Sequence, residues 1–152
     1  MAKRKWMTIV VVVVFLALST GAITVQAQWV MVARAVAGRV EQMSDRSKDG
    51  SGFDVATVVL EANADKVYQT AIKNLSARTD LKITKQDEKK RMVQFTNGQQ
   101  VASLQATPLG DKITQLVIAS NLPPAPGTNS MVVEGVLKVC KEMNVECTLE
   151  GQ

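Results

Sequence analysis

A chain of 152 residues with 18 Lys and Arg, 14 Asp and Glu and no histidine has room for one domain and a leader, and lacks the commonest general base and metal ligand. The missing histidine excludes Ser-His-Asp and Cys-His catalysis, and Cys140 and Cys147 alone cannot close a zinc site, so no catalytic residue, cofactor or metal is expected. The formal charge of +4 is no nucleic-acid footprint, because without Lys3, Arg4 and Lys5 only 15 cations face 14 acids.

Those three cations precede an apolar run from Met7 to Leu18, and Val25-Gln26-Ala27 then places small residues at the two positions a signal peptidase reads. Residues 1–27 are expected to be a signal peptide, cut after Ala27, which sends the chain to the periplasm or outside the cell. The alternative is an uncleaved anchor over residues 7–25 in the inner membrane. Ser19, Thr20, Gly21 and Thr24 weaken that span just where a signal turns polar. Ala22 stands where a lipoprotein signal has its acylated cysteine.

In residues 28–43, Trp29, Val32, Val36, Val40 and Met43 recur at helical spacing, with Arg34, Arg39 and Glu41 among them, which predicts an amphipathic leader helix. Trp29, Arg34 and Arg39 are its candidate interaction residues. The polar run that follows, Ser44 to Gly52, has no apolar anchors to offset the entropy of ordering it, so residues 44–53 read as a flexible linker. The folded domain is then expected over residues 54–152.

Within it, Val55 to Ala62 reads as a strand and Asn63 as the cap of a helix whose face is Val67, Tyr68, Ala71, Ile72 and Leu75. Leu81 and Ile83 alternate with polar residues on one side of the charged Asp87 to Arg91 turn, and Met92 to Phe95 do so on the other. Asn97-Gly98 marks the next turn. Val101 to Thr107 and Ile113 to Ala119 are the next two strands. The prolines at 123, 124 and 126 make a crossing loop, since they cannot donate to a ladder. Thr128, Asn129 or Ser130 can cap a last helix with Val132, Val133, Val136, Leu137, Cys140 and Met143 as its stripe, and Val145 to Leu149 can add a short terminal strand.

This order, β-α-β-β-β-β-α, predicts an α+β fold in which an antiparallel sheet of four to six strands carries two helices on one face and leaves the other to solvent. The inner face is expected to hold Val58, Leu60, Ile83, Val93, Phe95, Leu104 and Val117, pressed by Tyr68, Ile72, Leu75, Val136 and Cys140. Tyr68 reads as a core residue with its hydroxyl at the rim, not as a catalytic acid.

The run Val59-Leu60-Glu61-Ala62-Asn63-Ala64-Asp65-Lys66-Val67-Tyr68-Gln69-Thr70-Ala71, with Asp80-Leu81-Lys82-Ile83 and the basic hairpin after it, resembles a family of small, uncharacterised bacterial exported or lipid-anchored domains. The likeness runs over roughly residues 55–143 and is one of hydrophobic pattern, not of a chemical motif. More distantly the same beginning resembles helix-grip domains, which hold apolar ligands under a long C-terminal helix. Neither resemblance implies a catalytic residue.

Two cysteines in an exported chain predict a disulfide between Cys140 and Cys147, tying the C-terminal tail to the last helix. The function expected is a non-enzymatic, exported cell-envelope domain of structural or protein-interaction role, with an envelope protein as partner, no affinity for nucleic acid and membrane contact only if the signal stays uncleaved. The alternative is a module that holds a small apolar ligand between sheet and helices. A pocket there above about 300 Å³ would favour the alternative.

Overall fold

The computed structural model describes residues 36–149. The expected signal peptide, Trp29, Arg34 and the expected leader helix up to residue 35 lie outside the described residues. The fold is α+β: strands β1 (Arg39–Arg46) and β2 (Gly52–Leu60), helix α1 (Ala64–Ser76), strands β3 (Lys82–Asp87), β4 (Met92–Thr96), β5 (Val101–Gly110) and β6 (Ile113–Ser120), helix α2 (Met131–Glu142), and a short β7 (Thr148–Leu149). They form one seven-stranded sheet in the order β3-β4-β5-β6-β2-β1-β7. Every pairing is antiparallel except that of β7 with β1, which makes the sheet mixed and wider than the sequence implied.

The strand alternation decides which face is covered. In β2, Asp54, Ala56, Val58 and Leu60 are buried, while Phe53, Val55, Thr57 and Val59 take the opposite face. β4 buries Val93 and Phe95, and β5 buries Ala102, Leu104 and Ala106. Both helices lie on this face and close the core with Val67, Tyr68, Ala71 and Leu75 from α1 and Val132, Val136, Val139 and Cys140 from α2. β6 corrects one expectation. Leu116 and Ile118 enter the core and Val117 points the other way, because the β2 ladder sets Leu116 against the buried Val58 and Ile118 against the buried Ala56, with Val117 opposite the outward Thr57. Ile72 and Ile83 pack against the core without being fully buried.

Each helix begins where the sequence says. Asn63 caps α1, its side-chain oxygen accepting from the Asp65 amide at 2.9 Å, and Ser130 caps α2, its hydroxyl accepting from the Val133 amide at 3.1 Å. The C-terminus of α2 closes in a Schellman motif. Val145 donates to the Cys140 carbonyl, Asn144 donates to that of Lys141, and Asn144 takes the left-handed conformation at φ 54°. The Asn97-Gly98 turn is a four-residue loop, its Asn97 carboxamide oxygen accepting from the amides of Gln99 and Gln100.

The largest departure is at the beginning of the described chain. Arg39 to Met43 form strand β1 and not the end of a leader helix, and the expected linker over residues 44–53 is the rest of that strand, a turn and the start of β2. Helical spacing of Val36, Val40 and Met43 is overridden by pairing with β2, from Val40 opposite Val58 to Arg46 opposite Gly52. The polar run is held by its own turn chemistry: Ser47 and Ser51 close the loop backbone at 2.8 Å, and the Asp49 carboxylate accepts from the Ser51 amide and hydroxyl. Only glycine fits at position 52, where a Cβ would lie 2.1 Å from the Asp45 carbonyl oxygen. The domain boundary expected at residue 54 therefore moves to the N-terminal side of β1. A bridge from Ala37 to Val59 and a 2.8 Å bond from the Gly38 amide to the Val59 carbonyl carry the domain back to the first described residues.

Candidate functional site

Three places combine chemistry with accessibility. The first is the helix-free face of the sheet, where the pairing register sets side chains in rows. Met43 on β1, Val55 on β2, Ala119 on β6 and Ser103 on β5 lie abreast, and Glu41, Thr57, Val117 and Gln105 form the next row. Met43 is 67% exposed, Phe53 38% and Val101 42%, so large apolar side chains stand in solvent on this face. No helix among the described residues covers it.

The second is a cavity of about 140 Å³ on the helix side, between α1, α2 and the sheet. Leu75, Leu81, Phe95, Leu104, Ile118 and Val139 give it apolar walls, and Arg78, Glu134 and Lys138 also line it. Asn74, one position before the buried Leu75, lines it too. Its Nδ2 is buried and finds no acceptor in the protein.

The third is a polar knot at the start of α2. Asp54, 2% exposed, receives a 2.9 Å hydrogen bond from the Gln42 carboxamide and a 2.6 Å bond from the Ser130 hydroxyl, so one carboxylate joins β1, β2 and the cap of α2. A shallow depression of about 520 Å³ lies beside this knot, lined by Gln42, Pro124, Ser130, Val133, Leu137 and Leu149. Its volume exceeds the roughly 300 Å³ of a ligand pocket, but it is open to solvent and cannot enclose most of a ligand's surface.

The expected disulfide is present: Cys140 and Cys147 are joined, with their Cα atoms 6.1 Å apart. Tyr68 is in the core, 1% exposed, with its hydroxyl 3.5 Å from the Met92 carbonyl, and burial pushes its phenol above the usual range. The exposed pairs behave as surface ion pairs. The Arg91 guanidinium, 2.6 Å from Asp65, holds that carboxyl below its usual value, and Arg78 does the same for Asp80.

Of the candidate interaction residues, Arg39 starts β1, exposed and paired in register with Thr148 of β7, and it does not sit on a helix. Trp29 and Arg34 lie outside the described residues, so the structure does not bring the three together. Three groups escaped the sequence reading. Asp54 carried a signal as the one charge inside the apolar run Gly52–Leu60, and Asn74 carried one as a carboxamide three residues after Ala71 on the buried stripe. Met43 was assigned to a helix and so to no sheet face.

No family model matches this chain, and none of the curated proteins does. Among solved structures, a conserved protein of unknown function from Enterococcus faecalis is similar over 79% of this chain and 83% of its own, at 12% identity and a TM-score of 0.49. The Zhui aromatase/cyclase from a Streptomyces species is similar over 60% of this chain and 86% of its own, at 16% identity and a TM-score of 0.38. An uncharacterised protein from Bacillus thuringiensis is similar over 59% and 91%, at 9% identity and 0.41. Likeness at this level bears on neither activity nor ligand.

Proposed function

We propose that this chain is an exported, non-enzymatic domain of the cell envelope that binds a protein partner through the helix-free face of its sheet. The observation that carries the reading is the exposure of Met43 beside Phe53 and Val55 on a face that the two helices leave bare. An antiparallel sheet with one solvated face ordinarily turns polar side chains outward. Here Thr57, Gln105 and Gln115 do so, but the β1, β2 and β6 part of the face places Met43, Phe53, Val55 and Val117 together. Export is supported by the order of charge, apolar run and small residues at the N-terminus, and by a disulfide of the kind that persists in oxidising compartments. The pocket between sheet and helices, at about 140 Å³, is too small for a drug-sized ligand, which weighs against a carrier of a large apolar ligand.

The test is site-directed photocrosslinking in cells, with the probe at position 43 or, as control, at the exposed Lys66 on α1. A discrete envelope protein captured from position 43 and not from position 66 is the expected result. No adduct at 43, or the same adducts at both positions, removes the docking face. The mature mass, measured on the same material, reports export: a product beginning at Gln28 agrees with it, and a full-length membrane-bound product contradicts cleavage.

A further inference from the structure

We infer that the cavity beneath α1 and α2 is a binding site for a small uncharged ligand, of about the size of one aromatic ring, that presents a carbonyl-type oxygen to Asn74. The site lies on the helix side of the sheet, so it stands or falls independently of the docking face.

Size comes first. An apolar cavity of about 150 Å³ accepts benzene, and this one, which opens in part to solvent between the two helices, measures about 140 Å³. Phe95, Leu104 and Ile118 rise from the sheet as its floor, while Leu75 and Val139 come from the two helices. The helices meet the cavity with small residues, Ala71 on α1 and Gly135 on α2. A Cβ at Gly135 would already lie 3.0 Å from the Ile118 Cδ1, so a larger residue there would press on the cavity wall.

Polarity comes second. Native proteins leave few buried polar atoms unpaired, because an unmet donor costs roughly 1 to 3 kcal/mol. Asn74 Nδ2 is such a donor, and its residue lines the cavity. The apolar side chains of Leu75, Phe95, Leu104, Ile118 and Val139 on the same lining supply no acceptor for it. A ligand oxygen with an apolar body satisfies the amide and the walls together. Charge sets the last limit. Arg78 is paired with Asp80, and Glu134 and Lys138 offset one another among the lining residues, so nothing selects a charged ligand.

Acetophenone and ethylbenzene are matched probes, alike in shape and differing by one carbonyl oxygen. Titrated into the ¹⁵N-labelled, oxidised domain, acetophenone is expected to shift amides of α1 and α2 around Asn74 and Gly135. On Asn74→Leu the affinity for acetophenone relative to ethylbenzene should fall about tenfold, the worth of one buried hydrogen bond. Ala71→Met, which extends a flexible side chain into the cavity, should weaken both probes. The wild-type titration is decisive even if a variant fails to fold: shifts confined to other surfaces, or no shifts with either probe, overturn the site. An unchanged ratio on Asn74→Leu overturns the role of the amide.

Discussion

At the scale of single residues, the one deeply buried carboxylate among the described residues stands where three elements meet. Asp54 takes hydrogen bonds from Gln42 and Ser130, and Ser130 in turn caps α2. Removing the carboxylate leaves the buried Ser130 hydroxyl without its acceptor, so Asp54→Ala should cost about 2 kcal/mol in urea unfolding, more than a surface change would. A cost within 0.5 kcal/mol, about that of a surface change, would show that the knot adds nothing. The exposed pair of Asp65 and Arg91 makes a different prediction. Its carboxyl sits below its ordinary value of 3.8 in the folded state, so the pair stabilises above that pH and the contribution is lost as pH falls through the folded value. The melting temperature of Asp65→Asn should therefore trail the parent at pH 7 and converge with it in acid. A gap that persists in acid would mean that the substitution acts through the first turn of α1 and not through charge.

Elements show what sequence patterns can and cannot decide. The two helices, the meander and the disulfide were legible because each has a local cause: a capping Asn63 or Ser130, alternation around a charged turn, two cysteines seven residues apart. β1 was not legible, because its evidence is the partner strand. Met43-Ser44-Asp45-Arg46 has no apolar alternation, and its order comes from the β2 ladder and from Gly52, whose close approach to Asp45 no local pattern reveals. The facing of Val117 was not legible for a related reason: β6 is apolar on both sides, and its register with β2 and β5 decides which side enters the core. Of the candidate sites, the cysteine pair was legible and the cavity was not, since Asn74 matters only once α2 lies across from it. The C-terminal staple makes a prediction at this scale. β7 pairs with β1 at just two positions, Arg39 with Thr148 and Val40 with Leu149, and the disulfide holds the chain that delivers it. Cys140→Ala with Cys147→Ala should lose about 2 to 3 kcal/mol, and the Thr148 amide, which donates to Gly38, should exchange faster than those of β2. Uniform loss of protection across the sheet would instead make the bond a prop of the whole core. In the same turn Asn144→Gly should add about 0.5 kcal/mol, because glycine takes the left-handed C′ position without a Cβ penalty.

For the molecule as a whole, the asymmetry of the sheet is the property on which the proposed function rests. Both helices lie on one face and complete the core there, so side chains on the other face are free to vary without cost to folding. The opposite edge strand β3 carries Lys82 and Lys85 and a register shift between Ile83 and Lys85, features that discourage strand addition at that edge. On the proposed reading the partner meets the broad side of β1, β2 and β6, where apolar side chains gather between Glu41 and Asp45 at one margin and Gln105 and Gln115 within the sheet. A core substitution would confuse folding with binding, but this face separates them. Met43→Lys combined with Val117→Lys should change stability by no more than about 0.5 kcal/mol each, since neither side chain enters the core. The same pair should abolish the adduct captured from a probe at neighbouring Val55, because two ammonium groups would have to be desolvated in the contact. If the adduct survives both lysines, the partner binds elsewhere on the molecule, and the exposure of Met43 and Phe53 has no part in recognition.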